Sequence, residues 1–288
     1  MSIFNEFSPL RQVAIRNPLN GFCNKEKIAA EWKELRFDSK PDLNEAINEF
    51  NAFKNLLIAD GIEVIDLPRS LNLTLDSIYT RDSILVCVDG LILCNMGRSS
   101  RTPEARINYD HLKLQGHKIA GEIVAPGTLE GGDFIWLDNN HAAVGLGPRT
   151  NQEGIDQLKN ILGPEIDLHV VKLPNPSHPD DVLHLMSLIS PLDNDLALIY
   201  PPLIPLSFLR WLEKLGIKFV EVSNEEYLLM GCNVLATAPR TVIMLENLPG
   251  VQKNLTNAGC DVRTYKGDEI SCKGEGGPTC LTRPLKRI

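Results

Sequence analysis

Apolar positions along this chain fall into two alternating textures. In the first they recur every three to four residues. From Asn44 to Ala59 they stand at Ala46, Ile47, Phe50, Phe53, Leu56 and Leu57, which predicts a helix with one buried face. Stretches 106–114, 150–162, 206–215 and 251–258 have the same texture, and a glycine follows each of the five: Gly61, Gly116, Gly163, Gly216 and Gly259. Glycine just past a helix supplies the left-handed residue that ends it. Thr150, with Glu153 three residues on, predicts a capping box for the third helix. The second texture is a short unbroken apolar run, which predicts a strand. One follows each glycine, at 62–65, 119–124, 168–171, 219–222 and 262–265.

Other strand-like runs come in pairs around a turn. Ser83–Val88 and Leu91–Cys94 flank Asp89-Gly90, a strong hairpin signal. Similar pairs follow Asp133, His184 and Cys232. Asp82, Asp133, His184, Cys232 and Cys280 each lead one such run, and successive members stand 51, 51, 48 and 48 residues apart. The chain therefore reads as five copies of helix, strand, loop and hairpin. The fifth hairpin lacks a return strand, which predicts that Gln12–Ile15 supplies it. Copies that bury one face need neighbours, so a closed ring in a single domain, residues 1–288, is expected. A doubly wound parallel sheet also alternates helix and strand, but hairpins between helices do not suit it. In a ring, the equivalent positions meet at one axis. An acid, a second acid, a histidine and a cysteine would then form one site, which points to an enzyme.

Composition narrows the partners. The 288 residues are 43% hydrophobic and 23% charged, with a net charge of −8. An acidic surface argues against nucleic acid or anionic membrane. The apolar runs are strand length, far short of a membrane span. Residues 1–6 show neither a basic nor an apolar leader region, and the seven cysteines are odd in number and mostly inside apolar runs. Together these predict reduced thiols and a cytoplasmic location. No Cys/His group has zinc spacing, so neither metal nor cofactor is expected. A homo-oligomer is left open.

Cys280 follows Gly276-Gly277-Pro278-Thr279. Glycines allow close backbone approach to a ligand, and a thiolate nucleophile needs that access. A buried inert cysteine is the commoner fate, and it is the reading for Cys87, Cys94 and Cys232. His184, in phase with Cys280, is the candidate acid and base. The other five histidines (His111, His117, His141, His169 and His178) lack that phase and read as structural. Glu130-Gly131-Gly132-Asp133 sets two carboxylates at the mouth of a strand, one of which could orient His184. Asp76 and Asp82, six apart, would share a strand face. Paired acids suit a guanidinium, and the plain alternative is a solvated loop with Asp82 paired to Arg81. Arg101 and Arg149 precede helices and could clamp a carboxylate, or could be ordinary surface arginines.

These segments, taken in order from Asp76 to Cys280, resemble the guanidino-group-modifying enzymes: arginine deiminases, dimethylargininases and amidinotransferases. The matching segments are Asp76 with Tyr79–Asp82, Leu129–Asp133, Gly145–Asn151, His184–Ser187 and Gly276–Cys280. The resemblance implies a five-bladed pseudo-symmetric α/β propeller, the pentein fold. It also implies a small guanidino substrate, with Cys280 as nucleophile, His184 as proton shuttle and Glu130 holding it. Asp82 would bind the guanidinium, with Asp133 close by. Asp76 would lie near the α-amino end, and Arg101 and Arg149 would address the carboxylate. Arg81-Asp82 and the Gly-Gly-Pro-Thr-Cys run look like deiminases. The segments at Arg149 and at His184-Leu185-Met186-Ser187 look like dimethylargininases. Deiminases usually carry an aspartate where Met186 stands, and a thioether there would tolerate N-methyl groups. Hydrolysis of an N-methylated arginine, dimethylargininase-like, is the expected activity. Plain arginine deimination, amidino transfer to an amine, and a non-catalytic guanidino-binding protein are the alternatives. Residues 17–40 are a candidate lid.

Overall fold

The computed structural model describes residues 4–174 and 183–288; Met1–Ile3 and His178 lie outside them. Along the chain come β1 (Leu10–Ile15), α1 (Pro18–Gly21), α2 (Lys25–Glu31), α3 (Leu43–Ala59) and β2 (Glu63–Asp66). Next are β3 (Ile84–Cys87), β4 (Gly90–Leu93), α4 (Glu104–Lys113) and β5 (Ile119–Glu122). The third group is β6 (Phe134–Trp136), β7 (His141–Leu146), α5 (Gln152–Leu162) and β8 (Asp167–Lys172). The fourth is β9 (Ile189–Asp193), β10 (Leu196–Ile199), α6 (Leu206–Lys214) and β11 (Lys218–Glu221). The last are α7 (Asn224–Tyr227), β12 (Leu235–Ala238), β13 (Thr241–Leu245), α8 (Pro249–Asn257), β14 (Asp261–Tyr265) and β15 (Arg283–Arg287).

These strands form five three-stranded sheets, β15-β1-β2, β3-β4-β5, β6-β7-β8, β9-β10-β11 and β12-β13-β14. In each, an antiparallel hairpin is extended by a parallel strand that returns after a helix. The molecule is a five-bladed α/β propeller. The unit read from sequence cuts across blades, because each post-helix strand completes the sheet before it. The expected closure is present: β1 pairs antiparallel with β15.

Local chemistry explains the blade helices. In α3, Ala46, Phe50, Phe53 and Leu57 are fully buried on a spacing of four, three and four. Asp42 accepts from the backbone N–H groups of Asn44 and Glu45, which caps the first turn. All five helix-ending glycines have positive φ, between +72° and +90°. After four of them, Ile62, His117, Ile217 and Cys260 donate back to the carbonyls of Leu57, Leu112, Leu212 and Leu255, the Schellman closure. Gly163 lacks that bond because Pro164 has no N–H; its own N–H reaches Lys159 O instead. The predicted capping box on α5 does not form. Asn151 caps Gly154, and the Thr150 hydroxyl is turned inward. No helix among the described residues is long and apolar enough to cross a membrane.

Candidate active site

The in-phase residues sit just before the first hairpin strand of successive blades, and all five blades contribute a residue to one cleft: Cys280, Asp82, Glu130, His184 and Asn233. Asp82, Glu130 and His184 each place a side-chain atom within 4.8 Å of the others. Cys280 and His184 line both a cavity of about 310 Å³ and a smaller polar recess beside it. Met186 lines the larger space. Asp76, Asp82, Arg101, Glu130 and Arg149 line the recess.

Gly132 makes this convergence feasible. A Cβ there would lie 2.7 Å from His184 Nδ1 and 2.8 Å from Asp82 Oδ1. Its N–H donates to Asp82 Oδ1 at 2.9 Å. Glu130 is fully buried and meets His184 Nε2 at 2.8 Å. Its other oxygen accepts from Arg98 N and lies 3.6 Å from Arg149 Nη1. Burial alone would raise the Glu130 pKa, but the His184 hydrogen bond and the nearby cations outweigh it and hold the carboxyl ionised. Burial would lower the His184 pKa, but the carboxylates of Asp133, Asp82 and Glu130 raise it above the ordinary imidazole range. The pair is thus imidazolium and carboxylate at neutral pH.

Cys280 is half-buried. Its Sγ accepts from Asn233 Nδ2 at 3.2 Å. Asn233 Oδ1 in turn accepts from Thr279 N and Oγ1, so one amide fixes both the Gly276–Cys280 loop and the sulfur. Desolvation, then the Asp82 carboxylate, hold the thiol above the ordinary cysteine range, while Asn233 opposes them. Arg81 braces the loop from the other side. Its N–H donates to Cys280 O, its Nε to Thr279 O and its Nη1 to Glu6. Asp82 therefore does not pair with Arg81.

Several sequence expectations change in detail. Asp76 lies in a 3-10 turn (Leu75–Ile78), not on a strand shared with Asp82, although both face the recess. Asp133 does not line the cleft. Its oxygens accept from Thr150 Oγ1 at 2.7 Å and Leu185 N at 3.0 Å, so it joins two blades behind His184. Burial pushes its pKa up to about 6. Arg101 faces the recess but is largely committed: Nε and Nη2 clasp Glu104, Nη2 also reaches Tyr79 O, and Nη1 reaches Asp82 at 2.6 Å. Within the candidate lid, Leu35 O accepts from Arg98 Nη2 and Asp38 lines the cleft.

Two functional candidates escaped the sequence reading. Arg98 pairs with Asp76 at 2.8 Å; it stands three residues before Arg101 in the same loop. Asn233 immediately follows the in-phase Cys232, so the repeat pointed to its neighbour. Cys232 is buried, with Sγ 3.7 Å from Leu198 O, and burial raises its pKa far out of range. The structural reading of His117, His141 and His169 fits their contacts: Gln12, Asp138, and the Phe208 and Trp211 rings.

Comparison with known proteins bears on the family and the fold. Residues 23–287 match the family model described as N,N dimethylarginine dimethylhydrolase, eukaryotic. An uncharacterized Bacillus subtilis protein, YkgA, is 28% identical, covering 98% of this chain and 94% of its own. The N(G),N(G)-dimethylarginine dimethylaminohydrolase of Pseudomonas aeruginosa is 26% identical, covering 84% and 89%. The N-terminal domain of ArgZ, a cyanobacterial arginine dihydrolase, superposes with a TM-score of 0.80 at 17% identity, covering 96% of this chain and 97% of that domain.

Proposed function

The chain belongs to the N,N-dimethylarginine dimethylhydrolase family and is an amidine hydrolase, and we propose that it cleaves the guanidino C–N bond of an N-methylated arginine through Cys280. The observation that carries this reading is the shared cleft: a half-buried thiol, a His184–Glu130 pair and the Asp82 carboxylate, with Met186 in the apolar wall.

Asp82 favours a cationic guanidinium, Asp76 the α-amino end, and Arg98 and Arg149 a carboxylate, while Arg101 holds Asp82 in place. The thiol sits high without substrate, and an arriving guanidinium cation lowers its pKa and releases its proton to solvent. The thiolate adds to the guanidinium carbon. The tetrahedral adduct breaks its bond to the substituted nitrogen, which leaves as the amine after taking a proton from the His184 imidazolium. His184, now neutral, takes a proton from water as the oxygen attacks the S-alkylthiouronium carbon. The thiolate leaves, and citrulline remains. Glu130 stabilises the imidazolium throughout. Buried Met186 supports a methylated substrate, because a thioether accepts methyl groups without the desolvation cost of a carboxylate.

Purified protein incubated with arginine, mono- and dimethylated arginines, agmatine and shorter guanidino acids should form ureido product fastest from a methylated arginine, with release of methylamine or dimethylamine. Turnover of plain arginine alone, with ammonia released, would replace this reading by deimination. Product at the wild-type rate from Cys280→Ser would remove the covalent mechanism.

A further inference from the structure

A second cavity, of about 270 Å³, shares no lining residue with the cleft. Asp82 and Cys280 precede the starts of β3 and β15, whereas this cavity takes in the β3–β4 turn and runs along β15 to Arg287. Although the chain carries a net charge of −8, the cavity is cationic. Arg283, Arg287, Lys118 and Lys286 face it, against the carboxylates of Glu6 and Asp89. His117 is also in its wall.

The buried cations there have too few partners. Arg283 and Arg287 are each 5% exposed. Arg283 makes one hydrogen bond among the described residues, from Nη1 to Ile84 O, and its Nε has no partner. Arg287 donates to Ser8 O and Ala236 O, and its Nε too has none. Glu6, the buried carboxylate, is already bonded to Arg81, whose Nη2 is likewise unpartnered. Three buried guanidiniums thus gather around one carboxylate. An unpaired buried charge is strongly unfavourable. Burial, then the neighbouring Arg81 charge, push Arg283 down to about 9.

We propose that this cavity is a binding site for a small oxyanion of the phosphate class, held by Arg283 and Arg287 with Lys118 and Lys286 at its rim. Planar guanidinium forks match the oxygens of such an anion, and its charge would balance the cluster where β15 closes the ring. The partly apolar wall, with Leu91, Phe134 and Trp136, leaves room for the organic group of a monoester.

The test is calorimetric titration of the full chain with inorganic phosphate at ionic strength held constant with chloride. One saturable site is expected, weakened at least tenfold in Arg287→Gln and several-fold in the Lys118→Ala/Lys286→Ala double variant. It should persist in Arg149→Ala, which removes a cation from the catalytic cleft. Should Arg287→Gln fail to fold, the double variant decides, since both lysines are exposed. Phenyl phosphate binding more tightly than phosphate would identify a monoester as the ligand; equal or weaker binding would identify the free anion. Absence of saturation, unchanged affinity in the cavity variants, or loss of binding in Arg149→Ala would each overturn the proposal.

Discussion

Cys232 and Cys280 stand 48 residues apart at the same point of the last two copies of the repeat, yet they differ in kind. Cys232 is sealed into the core against Leu198 O, and burial keeps it a neutral thiol. Cys280 is half-buried at the cleft and accepts a hydrogen bond from Asn233. The preceding backbone makes the difference. Gly276 and Gly277 let the loop pass within a Cβ's reach of Tyr79 and Asn233, which swings Cys280 into the cleft. In the blade of β12–β14, the residue that reaches the site is the next one along, Asn233. Pseudo-symmetry delivers a position to the axis, and local backbone then selects which neighbour meets the substrate.

The largest test of that contrast replaces each sulfur. Cys280→Ser should lower ureido product formation by about four orders of magnitude or more, whereas Cys232→Ser should retain the wild-type rate in whatever fraction folds. A brief pulse of iodoacetamide followed by mass spectrometry should mark Cys280 and leave Cys232 unmodified. Equal labelling of the two would break the comparison outright.

The histidine partner comes next in size. Glu130→Gln should cost roughly 10² to 10³ in kcat, since it removes the charge that holds His184 protonated. The pH profile supplies the sign. Glu130 has a depressed pKa, so its contribution to stability is present above the ordinary glutamate value of 4.5 and is lost as pH falls further. His184 has a raised pKa, so its contribution is full below the ordinary 6.5 and is lost as pH rises through the elevated value. The stability difference between wild type and Glu130→Gln should therefore peak between those two pH values. A difference that grows steadily into alkaline pH would show that the two groups are not paired.

Asn233→Ala sharpens the contrast at its centre. Loss of the hydrogen bond from Asn233 to sulfur removes a side-chain donor that lowers the Cys280 pKa, so the thiol pKa should rise. The alkylation rate of Cys280 should then need a higher pH to reach its plateau, with kcat reduced about tenfold. An unchanged alkylation profile would make Asn233 a brace of the Thr279 loop and nothing more.

Much of this was legible in the chain. Five glycines, one ring-closing strand and the phase of Asp82, His184 and Cys280 are local patterns, and the fold honours them. Partner choice was less legible, because most of it depends on contacts between residues distant in sequence. Nothing near Asp133 announces that its oxygens meet Thr150 of its own blade and Leu185 of the next. Glu104, three residues on, was a local hint for Arg101, but nothing near it announces that Asp82 also takes one of its donors. The Thr150 capping box failed for the same reason: the buried carboxylate of Asp133, across the β6–β7 hairpin, took its hydroxyl. Asn233 was missed because a repeat read by residue type stops at the cysteine.

The smallest expected effect is the most discriminating for the pseudo-symmetry argument. Cys232 is 1% exposed, and its sulfur packs where β10 meets the loop before β12. Cys232→Ala deletes that sulfur and leaves a small void, so it should cost about 1–2 kcal/mol of unfolding free energy in a urea titration. Asn233 N is tied to Met230 O, and its side chain to Thr279; these bonds do not pass through the sulfur. Kcat should therefore stay within about twofold of wild type while the denaturation midpoint falls. A variant with an intact midpoint but a kcat lowered tenfold would mean that Cys232 transmits its packing to Asn233, and the core of the β12–β14 blade would then act in catalysis rather than only support it.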